Sequence, residues 1–318
     1  SSLFVIPLCN TTVLERGSKR RQLICDNVLR SSFCPDVRAF DCRRSWFREN
    51  SRAQRFQLVF CAAATADINL EEEWSKISNV SAILLAGGVG KRMGAPIPKQ
   101  FLELRGRCIV SYSLDLFISL NPQVLEIIIV CDPSNRHYFE ASLPSDTKNI
   151  QIKFALPGAE RQDSVYNGLQ EIDWTQSKLV SVHDTARPLV TKEAVKLVLI
   201  EGQKYGAAAL GIPVKSTIKE CDPSSRLVKR TLDRSTLWEI QTPQVVKPQL
   251  LKKGYDFVHA GDETGTPLAV TDDVSIVELL GGNPVRITLG DYTNLKITTP
   301  EDLIVADNIL SQTPLPVA

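Results

Sequence analysis

No run of apolar residues in this 318-residue chain approaches the roughly 20 that a membrane span needs. None of its eight cysteines, at 9, 25, 34, 42, 61, 108, 131 and 221, forms a C-x-x-C pair, so a zinc site of that kind is excluded. At this length a disulfide scaffold is not expected, and reduced thiols are the default. There is no internal repeat and no low-complexity segment. No apolar h-region precedes a cleavage site, which argues against a secretory signal. Both familiar phosphate-loop patterns are missing as well. G-x-x-x-x-G-K-[ST] fails because Arg92 follows Gly90-Lys91, and G-x-G-x-x-G fails because Met93 stands at the third glycine position.

What is present is an ordinary globular composition, 43% hydrophobic and 23% charged. The net charge of +1 hides an asymmetry. Residues 1–60 hold eleven Lys/Arg against five Asp/Glu, leaving 26 against 31 in the rest. The larger part is mildly acidic, so no nucleic-acid partner is expected, and no membrane. Its cations should be local. Residues 1–76 lack periodicity and are rich in Arg and Ser. They read as an organellar transit peptide, although Glu15, Asp26, Asp36, Asp41 and Glu49 are more acidic than such leaders favour. A disordered tail without an address is the plainer alternative. The chain opens on Ser1, so its true start is expected upstream; Glu71–Lys76 reads as a charged link.

The organising stretch runs from Leu85 to Gln100, LAGGVGKRMGAPIPKQ. It follows Val80–Leu85, an apolar run short enough for a buried strand. Gly87, Gly88, Gly90 and Gly94 remove side chains, so backbone N–H groups can close on an anion, and Arg92 and Lys99 add positive charge. Pro96 and Pro98 prevent a helix from starting directly on the glycines. An extended arch around a nucleotide triphosphate is the expected result.

From Ser78 onward strand and helix patterns alternate. Strands are expected at Val80–Ala86, Glu126–Cys131, Ile150–Ala155, Leu179–Val182, Ala207–Ile212, Val285–Leu289 and Leu295–Thr298. Helices are expected at Ile109–Leu120, Asn135–Ala141, Glu160–Ile172, Lys192–Glu201, Leu250–Ala260 and Asp273–Leu280, with a last one capped by Thr299. This alternation specifies an α/β fold, a parallel-rich twisted sheet with helices on both faces and ligands beyond the carboxyl ends of the strands. It breaks between Pro213 and Gln241. There Val214–Cys221 and Leu227–Leu232 form two extended arms around the turn Asp222–Ser225, a protruding β-arm. A two-stranded hairpin is marginal alone, so a twofold partner is expected to cover it.

Several residues outside the glycine loop could carry chemistry. Asp184, just past the strand Leu179–Val182, can hold Mg²⁺, and Arg187 can hold a phosphate in its planar fork. The plainer reading is a turn cap and a surface charge. His183 reads as a packed core histidine. Gly158 permits close approach to a ligand, and Ser164 can bond a base or ribose or be an ordinary helix-start serine. Lys296 either serves a ligand or guards an edge strand. Thr271-Asp272-Asp273 reads most simply as an N-cap.

The ordered motifs G-G-x-G-x-R-M…P-K-Q, G-x-x-R-x-x-S-V, H-D-x-A-R-P, V-x-x-T-x-K, L-D-R, T-P-Q and N-x-K-I-T span about 80 to 312. Together they resemble the 2-C-methyl-D-erythritol 4-phosphate cytidylyltransferases, in the plant plastid form, with a Rossmann-like nucleotidyltransferase fold. The resemblance implies a Mg²⁺-dependent reaction of CTP with the polyol phosphate and a plastid stromal location. It implies that Gly87, Gly88, Gly90, Arg92 and Lys99 hold the triphosphate, that Ala86, Gly158 and Ser164 hold the cytidine, and that Asp184 holds the metal. Lys296 would join Arg92 and Lys99 in clamping the transition state. Arg187, Thr217 and Arg234 would bind the polyol phosphate, the last two from the partner of a homodimer joined through the 213–241 arm. Many family members have Ala where Thr185 stands and Gly where Pro157 stands. A cytidylyltransferase for another polyol phosphate, such as ribitol 5-phosphate, is the alternative. A dinucleotide-dependent oxidoreductase would need the absent G-x-G-x-x-G. A non-catalytic effector-binding protein would not need Arg92, Lys99, Asp184 and Lys296 together.

Overall fold

The computed structural model describes residues 69–312 except 89–92, 95–96, 145, 148, 262–267 and 269. Residues 1–68 and the glycine-loop residues Gly90 and Arg92 therefore lie outside the described part. The first described element is a helix, α1 (Leu70–Ser75), where a link was expected. Three glutamates in its first turn complement the helix N-terminus, and Trp74 is buried in the core.

Strand β1 (Val80–Leu85) is the axis of the sheet. A two-residue hairpin, β2 (Glu103–Leu104) and β3 (Arg107–Cys108), leads into α2 (Ile109–Ile118) and β4 (Val124–Val130). After β4 come α3 (Arg136–Glu140), β5 (Gln151–Ala155), α4 (Arg161–Gln170) and β6 (Leu179–Asp184). Then follow α5 (Lys192–Tyr205) and β7 (Ala207–Pro213). The excursion is a separate exposed antiparallel pair, β8 (Lys219–Cys221) and β9 (Val228–Thr231). The chain returns through β10 (Trp238–Val246), α6 (Pro248–Ala260), α7 (Ser275–Leu279), β11 (Arg286–Leu289) and α8 (Pro300–Gln312). Among the described residues no helix is long and apolar enough to cross a membrane.

The seven-stranded sheet has the order β11-β7-β10-β6-β1-β4-β5. All neighbours are parallel except β10, which is antiparallel to both β6 and β7. In β1 the alternation sends Val80, Ala82 and Leu84 into one apolar layer with α2 and α5, and Ile83 into the other with α4, α6 and α7. Both faces are covered, which is why the central strands are apolar throughout. Register places Leu85 beside Val130 on one side and Asp184 on the other, so β1, β4 and β6 end level at one edge.

Two expectations are corrected. No strand is expected between Leu232 and Val285, yet Trp238–Val246 forms β10, whose first four residues fall inside the stretch 213–241 expected as the arm. Its Pro243 lies within the irregularity between Ile240 and Gln244, and a proline inside a strand pattern reads as a break. Residues 295–298 do not form a strand. They run as an extended strap tied to the sheet by one backbone bond, Ile297 N–H to Ala186 O at 2.8 Å. Ile297 is buried, and its alternation turns the neighbouring Lys296 to the other side.

Candidate active site

A cavity of about 760 Å³ opens at the level edge of β1, β4 and β6, beyond their carboxyl ends. Its walls bring together Ala86, Gly87, Gly88 and Lys99 from the glycine loop, Gly158 and Ser164 from the start of α4, Asp184, and Lys296 on the strap. Two glycines are demanded by close approach. A Cβ at Gly87 would stand 2.5 Å from Pro157 Cβ, and one at Gly158 would stand 2.2 Å from Asp163 Cβ. The loop after β1 thus lies against the loop before α4 at Gly87, and Gly158 folds tightly against the first turn of α4.

Asp184 is the electrostatic centre. It is only 7% exposed, yet both carboxylate oxygens face cations. Arg161 Nε donates to Oδ1 at 3.2 Å, and Lys296 Nζ donates to Oδ2. Burial pushes the carboxyl up, but the charges of Arg161 and Lys296 outweigh it and hold the group below the usual carboxylate range. The two Nη atoms of Arg161 turn to Asp273, at 3.0 and 2.8 Å. Burial pushes Asp273 up, and Arg161 pulls it back. The result is an alternating row, Lys296–Asp184–Arg161–Asp273, with its two inner members shared.

Beneath Asp184 the backbone is held by a hydroxyl. Asp184 N–H donates to Thr242 Oγ1 at 3.1 Å, and Thr242 Oγ1 lies 3.2 Å from His183 Nδ1. The other ring nitrogen, Nε2, lies 3.2 Å from Ser113 Oγ, so both nitrogens of His183 face hydroxyls. Complete burial pushes the imidazole down to about 3, so it is neutral and structural.

Lys99 reaches from the turn Lys99–Phe101 to Ile297 O at 2.6 Å, joining the turn to the strap that carries Lys296. Ser164 Oγ accepts from Gly158 N–H at 3.0 Å and donates to Glu160 O at 3.2 Å. It braces the loop and retains room for one further donor. Thr185 is buried and donates to Leu85 O at 2.8 Å, so its hydroxyl ties β6 to β1.

Three nominated residues do not line the described walls of this cavity. Arg187 is 8% exposed and donates through Nη1 to Asn294 O at 2.7 Å, while its Nε has no partner. Burial lowers its affinity for the proton, and Asp184 and Glu239 oppose that. Thr217 and Arg234 are exposed on the excursion, with Arg234 Nη1 donating to Lys215 O at 3.1 Å.

Sequence reasoning missed Arg161 and Asp273. Asp273 is not an N-cap; it is buried at 1% exposure, while Asp272 takes the capping bond from Ser275 N–H. The two partners stand 112 positions apart, and no local pattern links them. The available signal was Asp273 itself, a carboxylate between the apolar residues Val270 and Val274 that a core must neutralise.

The chain is similar to proteins with the same motifs. A family model described as 2-C-methyl-D-erythritol 4-phosphate cytidylyltransferase matches residues 80–312. A chloroplastic protein of that description from Oryza sativa subsp. japonica is 53% identical over 260 residues, covering 82% of this chain and 83% of the relative. Another, from Chlamydia pneumoniae, is 38% identical and covers 72% of this chain and 98% of the relative. The solved 4-diphosphocytidyl-2C-methyl-D-erythritol synthase from Anaerococcus prevotii superposes with a TM-score of 0.64 at 29% identity, covering 74% of this chain and 99% of that one. With that family model matching most of the chain and these relatives alike over their lengths, the chain belongs to the 2-C-methyl-D-erythritol 4-phosphate cytidylyltransferase family.

Proposed function

We propose that this chain transfers the cytidylyl group of CTP to 2-C-methyl-D-erythritol 4-phosphate, giving 4-diphosphocytidyl-2-C-methyl-D-erythritol and pyrophosphate. The observation that carries this reading is a cavity in which Arg161 and Lys296 hold the ionised Asp184 and Lys99 lines the same space. The polyol phosphate supplies its own nucleophile. Its oxygen bonds to the α-phosphorus, the bond from that phosphorus to the bridging oxygen breaks, and the electron pair leaves on pyrophosphate. The barrier is the meeting of two anions, and fixed positive charge lowers it. Lys99, Arg92 and Lys296 would supply that charge, and the N–H groups at Gly87 and Gly88 would receive phosphate oxygens. Gly158 and Ser164 suit the cytidine, at a loop a side chain cannot enter.

Mg²⁺ fits this donor set. Among the described residues there is no cluster of three or more His, Cys, Asp or Glu to cage a metal, but Mg²⁺ is commonly held by one or two carboxylates plus substrate phosphates. Asp184, kept charged on the cavity wall, would hold it with the triphosphate, where it would neutralise phosphate charge. Measuring pyrophosphate release with CTP and Mg²⁺, once with 2-C-methyl-D-erythritol 4-phosphate and once with ribitol 5-phosphate, tests the reading. Release that favours ribitol 5-phosphate would overturn it.

The exposed hairpin supports a homodimer. Ile218, Leu227 and Val228 lie exposed on a two-stranded sheet with nothing of its own to pack on. A twofold partner would cover it, and Thr217 and Arg234 would then reach the partner's cavity. Mixing inactive Lys99→Ala with inactive Arg234→Ala under subunit exchange checks this. If Arg234 acts in trans, each mixed dimer has one site with both lesions and one with neither, and about half its activity returns. No recovery with exchange confirmed means that the arm serves its own subunit or only holds the dimer together. Of the expected leader, residues 1–76, the part before α1 is proposed as a plastid transit leader, supported by its basic, Ser-rich composition and the chloroplastic relative, whereas α1 with its buried Trp74 belongs to the folded part.

A further inference from the structure

Gln100 closes the P-K-Q motif but has no part in the chemistry above. It is 3% exposed and sits in the turn Lys99–Phe101. Its Nε2 donates to Ala86 O at 2.5 Å and to Gly88 O at 3.0 Å. Two facing carbonyls determine which end of the carboxamide is the amino group, since the oxygen could accept from neither. Both hydrogens of one nitrogen are thus used on the two carbonyls that straddle Gly87.

Gly87 is confined by Pro157, and this contact restrains the carbonyls on either side of it. Among the described residues a Cβ placed at Gly88 would meet no heavy atom within 4 Å, so none of them packs on that residue from its side-chain direction. Gln100 itself is anchored. The next residue, Phe101, is buried, stacks on Tyr138 at 4.5 Å between centroids and meets Phe139 edge-on at 5.8 Å. The preceding residue, Lys99, bonds the strap at Ile297 O. A trans peptide sets each N–H opposite the preceding C=O. With Ala86 O drawn to Gln100, the Gly87 N–H must point the other way. The side chain therefore sets the direction of a loop dipole and ties the glycine loop to the turn bearing Lys99.

We infer that Gln100 is a positioning residue for the nucleotide, holding the carbonyls of Ala86 and Gly88 so that the loop's N–H groups meet the triphosphate. No other neutral side chain of this length offers two hydrogens from one atom. Glutamate has the same shape and, ionised, would set negative charge against both carbonyls. Methionine fills similar space and leaves both carbonyls unpaired. Asparagine keeps the amide and falls one methylene short.

This inference rests on the proposed CTP reaction, and the experiment separates the two. Pyrophosphate release is measured for the wild-type enzyme, Gln100→Met, Gln100→Glu and Gln100→Asn, varying CTP and polyol phosphate in turn, with melting temperature recorded. Wild-type protein that fails to use CTP removes the reaction itself. Given wild-type turnover, the expected result is a KM for CTP raised roughly tenfold in Gln100→Met, the scale of one or two lost hydrogen bonds, with the KM for the polyol phosphate within about twofold. Gln100→Glu should be worse, and part of its loss should be regained as pH falls and the carboxyl gains a hydrogen to donate. Gln100→Asn decides the matter if the other two do not fold. A folded variant that binds CTP with unaltered KM overturns the inference, as does an equal rise in both KM values.

Discussion

Glu126 and Asp184 are both buried carboxylates on strands that flank β1, and both meet a lysine. They lie at opposite ends of the sheet. Glu126, near the start of β4, accepts from Ser81 Oγ at 2.6 Å, Asp173 N–H at 2.7 Å and Lys153 Nζ at 2.6 Å. Its oxygens are met by two neutral donors and one lysine, and it does not line the cavity described above. Asp184, at the end of β6, has only cations on its oxygens and stands on a cavity wall. A buried charge satisfied by dipoles holds the fold together. One satisfied by side-chain cations beside open space stands where an anionic ligand can meet the same cations. The contrast separates stability from function within one sheet.

The sharpest way to break it is Asp184→Asn. Turnover per folded molecule should fall about 10²–10³-fold, on the order of 3–4 kcal/mol of barrier, and the melting temperature should fall as well, because the amide leaves the charges of Arg161 and Lys296 unmatched. Pyrophosphate release beside a thermal melt reads both, and an active, unfolding-prone variant would place Asp184 with Glu126. The converse substitution, Glu126→Gln, keeps the acceptor for Ser81 and Asp173 but turns an NH₂ toward Lys153. A loss of about 2–3 kcal/mol in denaturant unfolding is expected, less than the ~3–5 kcal/mol of a fully buried broken pair because Lys153 is partly exposed. Activity per folded molecule should be unchanged.

His183 sharpens the comparison through pH. Its folded pKa, pushed down to about 3, lies below the ordinary 6.5, so the unfolded chain binds the proton more readily between those values. Stability conferred by the neutral imidazole is complete above pH 6.5 and lost as pH falls toward 3. At pH 5.5 the loss is about 1.4 kcal/mol. Unfolding curves of wild type and His183→Gln at pH 7 and 5.5 should differ by that amount in their pH dependence. Parallel curves would mean that His183 protonates in the folded state without penalty. The smallest effect is at the amino end, where Asn69 accepts from Glu72 N–H at 3.5 Å. Asn69→Ala should cost less than about 1 kcal/mol and leave turnover unaltered.

Much of this architecture was legible from pattern. The apolar run of β1 ending in glycines, the one-sided spacing of Val165, Leu169 and Ile172, and the turn at Asp222–Ser225 each report a local geometry. So do the glycine loop, Lys99 and Asp184, because backbone shape and strand ends constrain residue type within a few positions. β10 was not legible, because Pro243 imitates a break. The strap at 295–298 was not either, since alternation predicts an extended chain but not whether a ladder forms beside it.

What the sequence determined by itself is therefore local and periodic: which segments are strand or helix, which faces are apolar, and where glycine opens the backbone. Only the tertiary structure decided the pairings. Lys296 meets Asp184 across 112 positions, Arg161 meets Asp273 across another 112, and Gln100 folds back on Ala86 and Gly88. Such contacts depend on where separate elements end in space. A buried charge demands some partner, and the packing of the sheet selects which one.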